Sequence, residues 1–220
     1  EPVRYRVPKG PKVVYFWVGQ FLGQRPRRPD GEVDKVKWFD LDEARQKMSY
    51  ADEVRVLDEA LARNGTTRAL LIVRHAKAMD RKHWTGPDQN RTISARGRRQ
   101  SARLVDLLAA YGVTRVVTSS SKRCVLTVQP FCEEHGVRLE KVALLSEEEA
   151  EGREGDVGKY VARLAKKSTE VVAMCGHRPV LPAMQSGAGV EPRPMLTAEV
   201  LVVHYRNEKP VSVEAYKSAF

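Results

Sequence analysis

The sequence predicts an α/β fold, a sheet covered by helices on both faces, on three observations. First, short runs of strand-forming residues recur, at 70–73, 114–118 and 171–175. Continuous apolar runs of this length bounded by polar residues read as strands buried on both faces. Second, helical patterns lie between them, with Leu104, Leu107, Leu108 and Tyr111 on one face ahead of Gly112, and a segment from Lys122 to His135 stopped by Gly136. Regular alternation of the two patterns is the mark of a layered sheet. Third, each strand run ends abruptly in chemistry: Arg74-His75, then Ser119-Ser120 leading to Arg123, then Gly176-His177. Ligands of open α/β sheets sit beyond the carboxyl ends of the strands.

In chain order, residues 1–62 predict strands at 3–7, 13–22 and 33–39 and helices at 41–47 and 52–62, with a turn-rich loop at 25–31. Val13-Val14-Tyr15-Phe16-Trp17-Val18 is a nearly unbroken apolar run, and a strand of that kind needs cover on both faces. Two facing strands and two helices are too little to close a core. Residues 63–66, with Asn64-Gly65 as a turn signal, read as a linker, and a second domain spans 67–220. After its first strand comes a polar loop, 79–91, then the helix that opens at Ser94. Acidic Glu147-Glu148-Glu149 leads to a helix around 157–165, a further helix covers 179–186, and 200–205 with 211–216 form a closing hairpin or edge pair.

Hydrophobic residues make up 42% of the 220, enough for a sizeable core. No run approaches the roughly 18 apolar residues of a membrane span, and Glu1-Pro2-Val3-Arg4 lacks signal-peptide architecture. Cys124, Cys132 and Cys175 make neither a paired framework nor a CxxC site, which predicts a cytoplasmic protein and no cysteine-bound metal. The net charge is +10, and from Arg68 to Arg123 there are 13 Lys or Arg against three acids. That bias would steer anions to the strand ends. Nucleic-acid binding is its rival explanation, set aside because no nucleic-acid module is recognisable.

Two His and two Arg gathered at one sheet edge are costly without an anion to bind. At these residues the chain resembles the histidine phosphatase superfamily, the phosphoglycerate-mutase-like fold, whose signature Arg-His-Gly reads Arg74-His75-Ala76 here. The resemblance implies a three-layer α/β domain and a phosphohistidine mechanism without metal or other cofactor. In it His75 is the nucleophile, Arg74 and Arg123 clamp phosphate oxygens, and His177 adds a donor. Ser94 and Ser120 are candidate hydroxyl donors, and Lys77, Asn90 and Arg91 further phosphate or substrate contacts. Leu145-Ser146-Glu147 matches the triplet that often carries the proton donor, which points to Glu147; a solvated helix N-terminus explains the same acids. His83, His135 and His204 are set aside as structural or exposed.

Residues 1–62 in turn resemble the second half of a MutT-type Nudix domain, through Tyr5-Arg6-Val7-Pro8, Glu32 to Phe39 and Met48-Ser49-Tyr50. The glutamate helix that would hold Mg²⁺ is missing from these 220 residues, so Mg²⁺ is expected only for a completed Nudix domain. The resemblance implies a Nudix–phosphatase fusion whose missing half is supplied by another stretch of polypeptide or a second copy. The leading expectation is a phosphohydrolase of small phosphate esters or nucleotides, among them 8-oxo-guanine nucleotides and dinucleoside polyphosphates. Its alternatives are a phosphatase of phosphohistidine proteins and an inert nucleotide-binding regulator.

Overall fold

The computed structural model describes residues 2–19, 23, 29–62 and 67–217. It divides into two compact units, Glu1–Gly65 and Thr66–Phe220. The expected linker at 63–66 lies outside the described residues, as do 20–22 and 24–28 from the expected second strand and loop.

In the first unit β1 (Val3–Val7) and β2 (Gly10–Val14) pair antiparallel, Val3 opposite Val14. Helix α1 (Leu41–Lys47) opens on Asp40, whose Oδ1 accepts from Glu43 N at 2.8 Å, a capping bond that satisfies one of the free N–H groups of a first turn. Helix α2 (Ala51–Ala62) is tied to it by Arg45 and Asp58, 2.9 Å apart. Two expectations are corrected here: β2 stops at Val14, and residues 33–39 form no strand. A strand is made by its neighbour's hydrogen bonds, and among the described residues this unit holds a two-stranded sheet only. Val3 is its one buried hydrophobic residue among those described.

The second unit is built on a six-stranded sheet of order β5-β4-β6-β3-β7-β8. Its strands are β3 (Arg68–Arg74), β4 (Arg115–Thr118), β5 (Leu139–Lys141), β6 (Val172–Gly176), β7 (Val200–Arg206) and β8 (Lys209–Tyr216). The first four run parallel, and the β7–β8 hairpin closes one edge antiparallel. Leu70, Ile72 and Leu71, Val73 of β3 are fully buried because opposite faces of the strand meet different helices. Leu71 and Val73 join the core that holds Leu104 and Leu108 of α3 (Ala95–Ala110) and Val128 and Phe131 of α4 (Lys122–His135). Leu70 and Ile72 face Val157, Val161 and Leu164 of α6 (Glu154–Lys167) and Leu181 and Met184 of α7 (Leu181–Gly187). Each such side chain contributes about 1.5–3 kcal/mol over exposure. The short α5 (Glu147–Ala150) precedes α6.

Register delivers the chemistry. Arg74 lies opposite Gly176, and Thr118 opposite Cys175, so β3, β4 and β6 end level and His75, Ser119 and His177 leave the sheet at one edge.

Candidate active site

The backbone around His75 is fixed before any side chain acts. His75 N donates to Gly176 O at 3.1 Å and Ser119 N to Cys175 O at 3.0 Å. Ala76 N donates to Thr127 Oγ1 at 2.9 Å, and that hydroxyl donates to Arg123 O at 2.6 Å. Lys77 N donates to Gln100 Oε1 at 2.8 Å. Helix α3 rests directly on this turn, since Ser94 Oγ caps it by accepting from Gly97 N while donating to Lys77 O. A Cβ on Gly97 would stand 2.2 Å from Lys77 O, so the approach requires glycine.

His75 is 9% exposed, and its Nδ1 lies 2.8 Å from the Ala76 carbonyl. A carbonyl accepts only, so Nδ1 carries the proton and Nε2 keeps its lone pair. Burial pushes the pKa of the ring down, and the nearby His177, Arg123 and Arg74 charges add to this, to about 3. His75 is therefore neutral across the physiological range. Its ring centroid is 5.3 Å from that of His177.

Arg123 is fully buried and is the hub of the site. Its Nη1 donates to Asp88 O at 2.8 Å and pairs with Asp88 Oδ2 at 3.1 Å, its Nη2 pairs with Glu147 Oε1 at 3.1 Å, and its Nε stands 3.2 Å from His177 Nδ1. His177, also fully buried, places Nε2 2.8 Å from Ser119 Oγ and Nδ1 3.3 Å from Glu147 Oε1. One Nδ1 cannot accept from Arg123 and donate to Glu147 together. Burial opposes the charged ring, but Cys124 Sγ and the Glu147 carboxylate outweigh it and raise the His177 pKa. Burial also drives the Cys124 thiol well above its ordinary value, so Cys124 is a neutral S–H, and of the two the Glu147 carboxylate is the charged group that accepts from His177 Nδ1. Glu147 in turn is held down by the bond to His177, against its own desolvation and with Arg123 helping, at about 2.

Arg74 donates through Nη1 to Met195 O, while its buried Nε has no hydrogen-bond partner among the described residues. Desolvation and the neighbouring Arg178 lower its pKa, yet a guanidinium stays charged. The segment 193–199 that supplies Met195 is clasped by Glu199, a carboxylate 1% exposed that accepts from Arg193 Nη2 at 2.7 Å and Leu196 N at 2.6 Å.

Of the residues singled out in the sequence, Arg74, His75, Arg123, His177 and Glu147 come together. Glu147 comes as an ion-paired carboxylate, which has no proton to give in this state. Ser120 is exposed, and Ser119 stands at His177 in its place. Ser94 spends its hydroxyl on the helix cap, exposed Lys77 pairs with Asp80 at 3.0 Å, and Asn90 is exposed in the short turn Asp88–Asn90. Arg91 is bound to Asp88 Oδ1 at 2.8 Å and to Met79 O at 2.6 Å, which makes it a support for Asp88. Sequence reasoning missed Ser119, Asp88, Thr127, Gln100 and Glu199 as site-building residues. For Glu199 a signal existed, an acid immediately ahead of the apolar run Val200–Val203; for Asp88, the spacing to Arg91. Among the described residues no three His, Cys, Asp or Glu are grouped to hold a metal. Beside Glu147 opens a cleft of about 310 Å³, lined by Ala150, Val157, Val180 and Ala183 together with Glu151 and Glu154.

The family model described as histidine phosphatase superfamily (branch 1) matches residues 70–214. A curated relative, 8-oxo-(d)GTP phosphatase of Mycolicibacterium smegmatis, is 34% identical over 146 residues, 66% of this chain and 45% of the relative. The chain thus spans under half the length of that relative. Among solved structures, an α-ribazole-5′-P phosphatase of Escherichia coli K-12 superposes with a TM-score of 0.56 at 13% identity, covering 70% of this chain and 97% of that one. The phosphohistidine phosphatase SixA of Nakamurella multipartitia gives 0.51 at 18%, covering 70% and 99%. At these identities the likeness is one of fold, and the fold is the histidine phosphatase fold.

Proposed function

The chain belongs to the histidine phosphatase superfamily, and on that premise we propose that it hydrolyses a nucleotide phosphate through a phosphohistidine on His75. Members of the superfamily act without metal cofactors. The single observation that carries the reading is His75 itself: a neutral ring whose proton is fixed on Nδ1 by Ala76 O, leaving Nε2 as a nucleophile among Arg74, Arg123 and His177. Nε2 attacks phosphorus as the P–O bond to the rest of the nucleotide breaks and its electron pair departs with that oxygen, the guanidinium groups and His177 meet the charge on the equatorial oxygens, and water then cleaves the P–N bond, returning its electron pair to Nε2 and releasing phosphate. The substrate class follows the Mycolicibacterium relative, whose name gives it 8-oxo-guanine nucleotides.

The test is His75→Ala with a ³²P-labelled nucleotide, EDTA present throughout. Wild type is expected to release phosphate and to carry an acid-labile, alkali-stable label that the variant lacks, with the variant below about a hundredth of the wild-type rate. Retained turnover in the variant, or a strict Mg²⁺ requirement, would overturn the reading. A screen across nucleoside mono-, di- and triphosphates and a phosphohistidine-bearing protein fixes the substrate.

The unit Glu1–Gly65 we read as one part of a MutT-like Nudix domain whose apolar surface is covered by further polypeptide, either its own first half or a second copy. Its exposed Tyr15, Phe16, Trp17, Val18, Trp38 and Tyr50 support this, because an isolated fold rarely leaves so many large apolar groups to water. Mg²⁺ would belong to that completed domain.

A further inference from the structure

The turn that follows His177 carries an arginine with no partner. Val180 N and Leu181 N both donate to His177 O at 2.9 Å, which closes residues 177–180 into a turn and fixes Arg178 at its corner. The residues on either side are placed by the site. His177 is buried against Ser119 and Glu147, while Pro179 and Val180 line the cleft beside Glu147. Arg178 itself is exposed. Strand β6 ends level with β3, Gly176 opposite Arg74, so Arg178 stands two residues beyond the partner of Arg74; after desolvation its charge is the next cause that lowers the Arg74 pKa. The other cations around the site are committed to carboxylates. Lys77 pairs with Asp80, Arg81 and Arg91 with Asp88, Arg123 with Asp88 and Glu147, and Arg193 with Glu199. Arg178 makes no hydrogen bond or ion pair with any described residue. Two like charges at close quarters repel, and an anion that both can reach relieves the repulsion.

We propose that Arg178 is a substrate-binding residue that takes the second phosphate of the substrate, the one joined through a bridging oxygen to the phosphoryl group at His75. The inference rests on the reading of His75 as nucleophile and adds to it the side chain that tells a diphosphate from a monophosphate. The surroundings give the direction. A phosphoryl group at His75 Nε2 stands among Arg74, Arg123 and His177, and a phosphate chain leaving that position runs either into the cleft or along the turn 177–180. The cleft presents Glu147, Glu151 and Glu154, and carboxylates repel a polyphosphate. The turn presents Arg178, whose planar guanidinium is able to give parallel N–H bonds to one phosphate. Its exposure sets a modest magnitude, because water and salt screen a pair at the surface.

The experiment measures competitive inhibition of p-nitrophenyl phosphate hydrolysis in EDTA, in wild type and Arg178→Ala. The inhibitors are inorganic phosphate and methylenediphosphonate, a diphosphate analogue whose bridge is not cleaved. Wild type is expected to bind the diphosphonate more tightly than phosphate. In the variant that preference is expected to fall about 10-fold, the loss of one charge-assisted contact at an exposed position. An inhibition constant does not depend on the amount of active enzyme, so a poorly folding variant still gives a result. A preference that stays within about twofold of wild type overturns the inference, whether neither inhibitor weakens or both weaken alike. A wild type that binds the two inhibitors equally overturns it as well. Hydrolysis of p-nitrophenyl phosphate that survives His75→Ala strikes the underlying reading instead, and the two failures are thereby distinguished.

Discussion

Replacing Arg123 by Met tests the hub most directly. Met fills the volume of the aliphatic stem with an adaptable unbranched chain and removes the charge that Asp88, Glu147 and His177 share. Breaking a buried ion pair from one side commonly costs about 3–5 kcal/mol, because the remaining charge is stranded. Here the lower figure applies, since Asp88 keeps Arg81 and Arg91 and Glu147 keeps His177. A loss of about 3 kcal/mol corresponds to about 6–12 °C in melting temperature for a domain of this size. The pH dependence has a definite sign. Glu147 is depressed to about 2 from 4.5, so its contribution is fully present above 4.5 and is lost as pH falls through 2. In the variant Glu147 moves back toward its ordinary value, and the gap between the two proteins narrows on acidification, by up to about 1 kcal/mol at pH 4. Urea denaturation at pH 7 and pH 4 measures both quantities. A variant within about 1 kcal/mol of wild type at pH 7, or a gap that widens toward pH 4, would refute the assignment of Arg123 as the charge hub.

Two further outcomes are expected. Gly97→Ala forces α3 off the Lys77 carbonyl and should cost about 1–3 kcal/mol together with part of kcat/KM, as the Ser94 and Gln100 bonds to the His75 turn shift; a native melting temperature with a native rate would show that the contact is not needed. For the unit Glu1–Gly65, native mass spectrometry should find the chain with a second polypeptide or a second copy; a clean 24.8 kDa monomer with the Val13 and Val14 amides protected from exchange would show that it closes its own core.

The parts of the fold that could be read in the sequence are those whose burial leaves a one-dimensional trace. Residues 70–73 are apolar without interruption because helices cover both faces of β3, and the end of that run places Arg74 and His75 at the sheet edge. The same logic found His177. Strand β5 left no such trace: Leu139-Glu140-Lys141 is mostly polar, and it is a strand because β4 offers it an open edge. Residues 33–39 are the converse case, with strand-forming Val33, Val36 and Trp38 but no described backbone to ladder against. Which of three consecutive serines meets His177 is decided by a single hydrogen bond, Ser119 N to Cys175 O, and local sequence does not encode that choice. Gln100 and Glu199 act on turns far away in the chain, Gln100 on Lys77 and Thr197, so their roles exist only in the folded state.

The two arginines that the resemblance gives one shared task differ in their partners in the structure. Nη1 of Arg123 already meets Asp88 and Nη2 meets Glu147, while Nε faces the His177 Nδ1 that donates to Glu147 and so finds no acceptor there. A phosphate would reach either Nη of Arg123 only in competition with a carboxylate. Arg74 differs, because its buried Nε has no partner among the described residues and a buried unmade donor costs about 1–3 kcal/mol. Under the proposed function an anion that reached this donor would recover that free energy, whereas Arg123 holds Asp88 and Glu147 in place.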